Sequence, residues 1–392
     1  MTDPQVLRNA ILHDSRPTLG RLLARHALWD EAQSTLWIDL TPFNAALQPV
    51  ELPGWERMLI WRGDPPPLPT WAPLEWPHTP AVNSWRKQIP TWVIETLERL
   101  PTKGQLRLLY LSARYPQMLE LLDKMPVLAW RLANAQLDEH QLQRLFPQPR
   151  TEMSALVGWP EDRHAVRFLQ KLRLRRMDEQ MLEQVETCLA DPDIYLPASG
   201  LPRINSMALT LAAHFPQLIG SPLHQSLARQ PCRPQQCKQM KALLSDAMAL
   251  AQWLGKPIEA IQTCRFLVDV EALYEKWLQE GLQRLQRDTQ KNHTKTVWKK
   301  VGDPPHLPRG WQSIQTLKGL VTCCRKTGHA WYADAHTLLI QPIAAKTPWT
   351  AALTHQNESW TVSCARQKGN QPLDPEQEAQ LNLLISQLNQ QR

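Results

Sequence analysis

Apolar positions recur at three-and-four spacing through most of this chain, in segments of about 10–15 residues that stop at proline or glycine. From Thr91 to about Gln283 this pattern predicts a run of short helices, among them 105–114, 162–172, 178–189, 206–214 and 234–254, then a long one from about Val268 to Arg287. Leu111-Ser-Ala-Arg-Tyr-Pro-Gln-Met echoes Leu211-Ala-Ala-His-Phe-Pro-Gln-Leu, so the body reads as repeat-like. After Trp311 the period changes to two. Residues 349–355 and 360–366 alternate on either side of Gln356-Asn-Glu-Ser359, which predicts an antiparallel hairpin, and His336–Gln341 reads as a further strand. Ile314–Arg325 is a predicted helix. Asp374-Pro375-Glu376 starts another, with Leu381, Leu384, Ile385 and Leu388 on one face.

The first 90 residues follow neither pattern for long. Residues 1–40 read as helical, with Leu19, Leu22, Leu23 and His26 after Pro17. Residues 41–90 hold Pro65-Pro66-Pro67-Leu68-Pro69 and further prolines, which remove donors and fix φ; they predict an extended connector with a short strand at 57–61. Eight of the 17 tryptophans fall in the first 92 residues, and their rings are expected to pin irregular chain onto the helices. The expected fold is mostly α with a small C-terminal α+β module: a helical start and Trp/Pro-rich connector (1–90), a helical repeat-like body (91–283), a basic connecting segment (284–310) and an antiparallel sheet flanked by helices (311–392).

Charge sharpens this division. Residues 284–326 hold ten Lys/Arg against Asp288 and Asp303, a net +8, in a chain whose total is +7. The polyanion-binding reading rests on Arg284, Arg287, Lys291, Lys295, Lys299, Lys300, Lys318, Arg325 and Lys326, with Trp298 placed to stack on a base among them. Arg284, Arg287 and Lys291 are spaced to share one side of a helix. The partners this chemistry suits are DNA or RNA, or an acidic protein; a solvated tether is the competing reading. A second cluster, Arg163, His164, Arg167, Lys171, Arg173, Arg175 and Arg176, reads as a solvated face balanced by Asp178, Glu179 and Glu183.

Composition limits the other chemistries. No apolar run reaches the ~18 residues of a membrane span, the amino terminus lacks the pattern of a signal peptide, and seven cysteines form no secreted disulfide framework, so a cytoplasmic protein with no membrane contact is expected. No glycine-rich phosphate loop is present, and no cofactor is expected. Cys232 and Cys237 lie near His224 but lack the second pair that a zinc site needs.

The C-terminal residues resemble a known family. Leu317-Lys-Gly-Leu-Val-Thr-Cys-Cys324, the Trp-led hairpin and the exit Gln367-Lys-Gly-Asn370 are similar to the signature of the PcfJ-like family, named for a protein of conjugative plasmids. The resemblance covers 311–375 and, more loosely, the helices from residue 90. It implies a role with mobile DNA or transfer complexes and no established reaction. The family commonly shows a His-Cys pair where this chain has Cys323-Cys324, so Cys324 is the residue carried over; Arg366 and Gly369 stand at the last strand. Three readings follow. The first is a non-enzymatic accessory that binds nucleic acid through the basic segment, alongside protein partners. The second is a nuclease or thiol-dependent hydrolase using Cys324, His329 and His336 with Asp334 as orienter. The third is a protein-only scaffold acting through the Trp/Pro-rich region.

Overall fold

Proline and side-chain caps punctuate the helices of this computed structural model, which describes residues 4–14, 16–60, 69–135, 137–291, 306–314, 317–327, 337–345, 347–356, 359–368 and 371–390. Proline opens the helices at Pro17, Pro80, Pro116, Pro126, Pro222, Pro234 and Pro375, where its missing N–H costs no bond. Asp162, Asp178 and Asn205 cap others by accepting from backbone N–H groups of the first turn. Helix accounts for about 59% of the described residues. The chain divides into two compact units, Met1–Gly220 with Leu227–Cys232, and Ser221–Ser226 with Arg233–Arg392.

The amino-terminal unit departs from expectation in its first 90 residues. Helices Pro4–Leu12 and Pro17–Arg25 give way to a three-stranded antiparallel sheet, β1 (Ala27–Asp30), β2 (Thr35–Ile38) and β3 (Val50–Pro53), in the order β1-β2-β3. Four-residue strands are too short to establish a period of two, and β2 and β3 each bury three of their four residues, which breaks the alternation. The strand expected at 57–61 is instead part of a helix, Trp55–Ile60, which buries Trp55 and Met58 three residues apart. Leu59 and Ile60 are exposed, and their run with Met58 is what imitates a strand. The extended connector is likewise interrupted by a 3₁₀ turn at Pro73–Glu75 and a helix at Pro80–Gln88; its densest prolines, 65–67, lie outside the described residues. Tryptophans do pin this layer. Trp71 and Trp85 are buried, with Nε1 donating to the carbonyls of Ile11 (2.8 Å) and Pro53 (3.1 Å). The echoed octapeptides share a helix end, in which Tyr115 N donates to Leu111 O and Phe215 N to Leu211 O. They then diverge, into an α-helix at Pro116–Lys124 and a 3₁₀ turn at Pro216–Leu218.

In the carboxy-terminal unit a four-stranded antiparallel sheet runs in the order β4 (Trp311–Ser313), β5 (Thr337–Pro342), β6 (Trp349–Gln356), β7 (Ser359–Gln367). The hairpin expected at 349–366 is present, with Ala352 opposite Cys364 and a bulge between Ala352 and Leu353. Leu338, Ile340, Trp349, Ala351 and Leu353 pack against Leu381, Leu384 and Leu388 of the Pro375–Gln390 helix. That helix begins with the expected cap: Asp374 Oδ1 accepts from Gln377 N at 2.8 Å, and Gln377 Oε1 accepts from Asp374 N at 3.1 Å. The opposite face meets the Leu317–Thr327 helix, where Cys323 Sγ lies 2.8 Å from Thr350 Oγ1. By its apolar spacing the helical body ends at about 283. Here helices Pro234–Leu254 and Leu267–Lys291 belong to the same unit as the sheet.

Candidate nucleic-acid interface

The basic segment begins on the Leu267–Lys291 helix, which runs unbroken to its last cation. Arg284, Arg287 and Lys291 are offset by three and seven residues and so lie on one side of it. Arg284 also has a packing role. Its guanidinium sits 5.7 Å from the Trp253 ring centroid and donates to Trp253 O at 3.4 Å. Gly281, one turn earlier, leaves room for that indole: a Cβ there would meet Trp253 Cζ3 at 2.6 Å. Lys295, Trp298, Lys299 and Lys300 lie outside the described residues. Lys318, Arg325 and Lys326 are carried by the Leu317–Thr327 helix, with Lys326 exposed.

The second basic cluster is not balanced by ion pairs as its sequence suggests. Arg163, Arg167, Arg173, Arg175 and Arg176 are exposed, and among the described residues no carboxylate pairs with any of them. Asp162 and Asp178 flank the run, but their oxygens accept from the backbone N–H of His164 (2.5 Å) and Met181 (2.9 Å) as helix caps. Lys171 is half-buried, with Nζ 3.5 Å from Pro202 O.

The proposed nucleophile is placed where it meets no solvent. Cys324 is 0% exposed, and burial pushes the adjacent Cys323 thiol up to about 11, against a 9.0 reference. His329, Asp334 and His336 lie outside the described residues. None of the seven cysteines is disulfide-bonded; Cys232 and Cys237 are buried, and the described residues include no group of three His, Cys, Asp or Glu that could hold a metal. No helix among the described residues is long and apolar enough to cross a membrane.

One polar constellation was invisible in the sequence. Arg366 on β7 makes two bonds to Asp246 of the Pro234–Leu254 helix, Nε to Oδ2 at 3.1 Å and Nη2 to Oδ1 at 3.2 Å. The side chains are 13% and 7% exposed. An alternating strand predicts which way Arg366 points, but a partner 120 residues away leaves no local signal. Beside the pair, a cleft of about 880 Å³ is lined by Gln239, Glu271, Tyr274, Glu275 and Gln371. Its carboxylates oppose a phosphate ligand, so the cleft adds nothing to the basic surfaces.

No family model, curated protein or solved structure matches this chain.

Proposed function

We propose that this protein binds nucleic acid without sequence preference, through phosphate contacts from its basic segment, as a non-enzymatic accessory of a mobile-element or conjugation-type nucleoprotein complex. The observation that carries the binding reading is charge segregation: ten cations against two acids between residues 284 and 326, with a net −1 over the rest of the chain. An unbroken helix to Lys291 supports it by keeping Arg284, Arg287 and Lys291 on one side. Phosphate contacts release counterions, so affinity falls steeply with salt. The mobile-element setting comes from the PcfJ-like resemblance of 311–375.

The test is fluorescence anisotropy with labelled single-stranded and duplex oligonucleotides over a salt series. The variant replaces Lys291, Lys295, Lys299 and Lys300 by Gln. Losing four phosphate contacts flattens the log–log salt slope by about 3–4 for duplex. Unchanged affinity and slope in the variant would sink the proposal.

A further inference from the structure

We infer that the amino-terminal unit carries a second nucleic-acid site, selective for single strands: Trp92 stacks a base, and the arginines of 163–176 hold phosphates. It rests on reading the protein as a nucleic-acid binder, but not on the basic segment that carries that reading.

The stretch after the Arg163–Lys171 helix is fixed at both ends. Arg173 N donates to Ile204 O (2.8 Å), Ile204 N to Lys171 O (2.7 Å) and Met177 N to Arg99 O (2.6 Å). Leu172 and Met177 are buried anchors, while Arg173, Arg175 and Arg176 between them face solvent. The Arg173 guanidinium is further oriented by donating to the carbonyls of Gln170 (2.9 Å) and Leu172 (2.8 Å). These cations are therefore displayed on ordered backbone, which lowers the entropy lost on binding. On the helix itself, Arg163 and Arg167 are four residues apart, about 6 Å along the axis. Five of the six cations in the run are arginines, whose planar forks suit phosphate oxygens.

A cleft of about 420 Å³ opens at the same stretch, lined by Trp92, Arg99, Lys124, Arg173 and Leu174. Trp92, on the Thr91–Leu97 helix, is 40% exposed, the most exposed tryptophan among the described residues. Glu95 and Asp123 also line the cleft, but Asp123 is engaged by Lys124 at 2.8 Å. Arg99 and Arg173 line the same cleft as the indole and have no carboxylate partner among the described residues. An exposed ring among unpaired cations is how proteins grip a strand whose bases are free to leave the stack. A duplex keeps its bases stacked and cannot present one to Trp92.

The experiment measures binding of labelled oligothymidylate and of a duplex of equal length to the full chain. Its variants are Trp92→Ala, Trp92→Phe and the triple Arg173→Gln, Arg175→Gln, Arg176→Gln, beside the four-lysine variant above. Trp92→Ala should weaken single-strand binding roughly 5- to 150-fold, the range of one stacked base, and leave duplex binding unchanged. Trp92→Phe should retain most of the affinity, and the arginine triple should flatten the single-strand salt slope by about 2. Wild-type affinity in Trp92→Ala, or an equal loss on duplex, overturns the site. If circular dichroism shows Trp92→Ala unfolded, Trp92→Phe and the arginine triple decide. Loss only in the lysine variant overturns this site and keeps the basic segment; loss only in the Trp92 and arginine variants does the reverse. A wild-type chain that binds neither probe overturns both.

Discussion

Removing Asp246 should destabilise the carboxy-terminal unit more than any surface substitution. The two bonds from Arg366 measure 3.1 and 3.2 Å, and little of either side chain reaches water. A guanidinium cannot shed its proton at any ordinary pH, so Asp246→Ala strands a charge beneath the sheet. Breaking a buried pair from one side costs about 3–5 kcal/mol. For a unit of this size, each kcal/mol lowers the melting temperature by about 2–4 °C, so a shift on the order of 6–20 °C is expected. Because the chain has two units, a single melting curve can blend two transitions. Amide hydrogen exchange resolved on β7 and on the Pro234–Leu254 helix is therefore the sharper assay: both should lose protection together in Asp246→Ala. The reasoning makes a second demand. Asp246→Leu combined with Arg366→Met replaces the charges by apolar volume and should be less damaging than Asp246→Ala alone. A cost below about 1 kcal/mol for Asp246→Ala, or a double variant worse than the sum of its parts, would refute the assignment.

Two further outcomes follow from packing and burial. Gly20→Ala places a Cβ 2.8 Å from Trp76 Nε1 and 3.0 Å from its Cδ1, in a layer where that ring is buried; a loss of about 1–3 kcal/mol is expected, read by urea titration of tryptophan fluorescence. Alkaline pH should also destabilise the fold. Burial pushes the thiols of Cys323, Cys188 and Cys364 up from 9.0 to about 11, about 12 and about 12. Folding favours the neutral thiol, so this stability is complete below pH 9.0 and is lost as pH rises toward those raised values. The decline is about 1.4 kcal/mol per pH unit for each thiol, and the melting temperature of Cys188→Ala between pH 8 and 10.5 should fall less steeply than that of the wild type.

The helices were legible because proline and cap residues mark their starts and three-and-four spacing marks their buried faces. Gln105–Arg114, Ser206–His214 and Pro234–Leu254 have the bounds the spacing predicts. The C-terminal hairpin was legible for the same reason at period two, since β6 and β7 are long enough to alternate several times. What escaped was short or masked by its neighbours. β1, β2 and β3 have four residues each, and the apolar run Met58-Leu59-Ile60 imitates a strand because Leu59 and Ile60 add exposed apolar residues to a helix. The division of the chain also escaped, because the character of a helix in sequence does not say which core it joins. Helices Pro234–Leu254 and Leu267–Lys291 look like continuations of the body and are assigned to the unit of the sheet.

Charge is the harder case, because a sequence counts ions without saying where their partners point. Residues 163–183 set six Lys/Arg against Asp178, Glu179 and Glu183, so by count half of the cations have an acid nearby. The carboxylate of Asp178 turns instead to the N-terminus of its own helix, at Met181 N, and the arginines are left facing water. Arg366 is the opposite instance: an unremarkable cation in a strand, it is held by an acid far away in sequence and is withdrawn from any ligand. Arg284 lies between these cases, with one face on Trp253 and the rest exposed. A cation contributes to phosphate binding only if folding leaves it unpaired, and by that criterion the arginines of 163–176 qualify where Arg366 does not. The counterion slope measures the same quantity in solution, because a cation that folding has already paired displaces no counterion on binding, and mutating it leaves the slope unchanged.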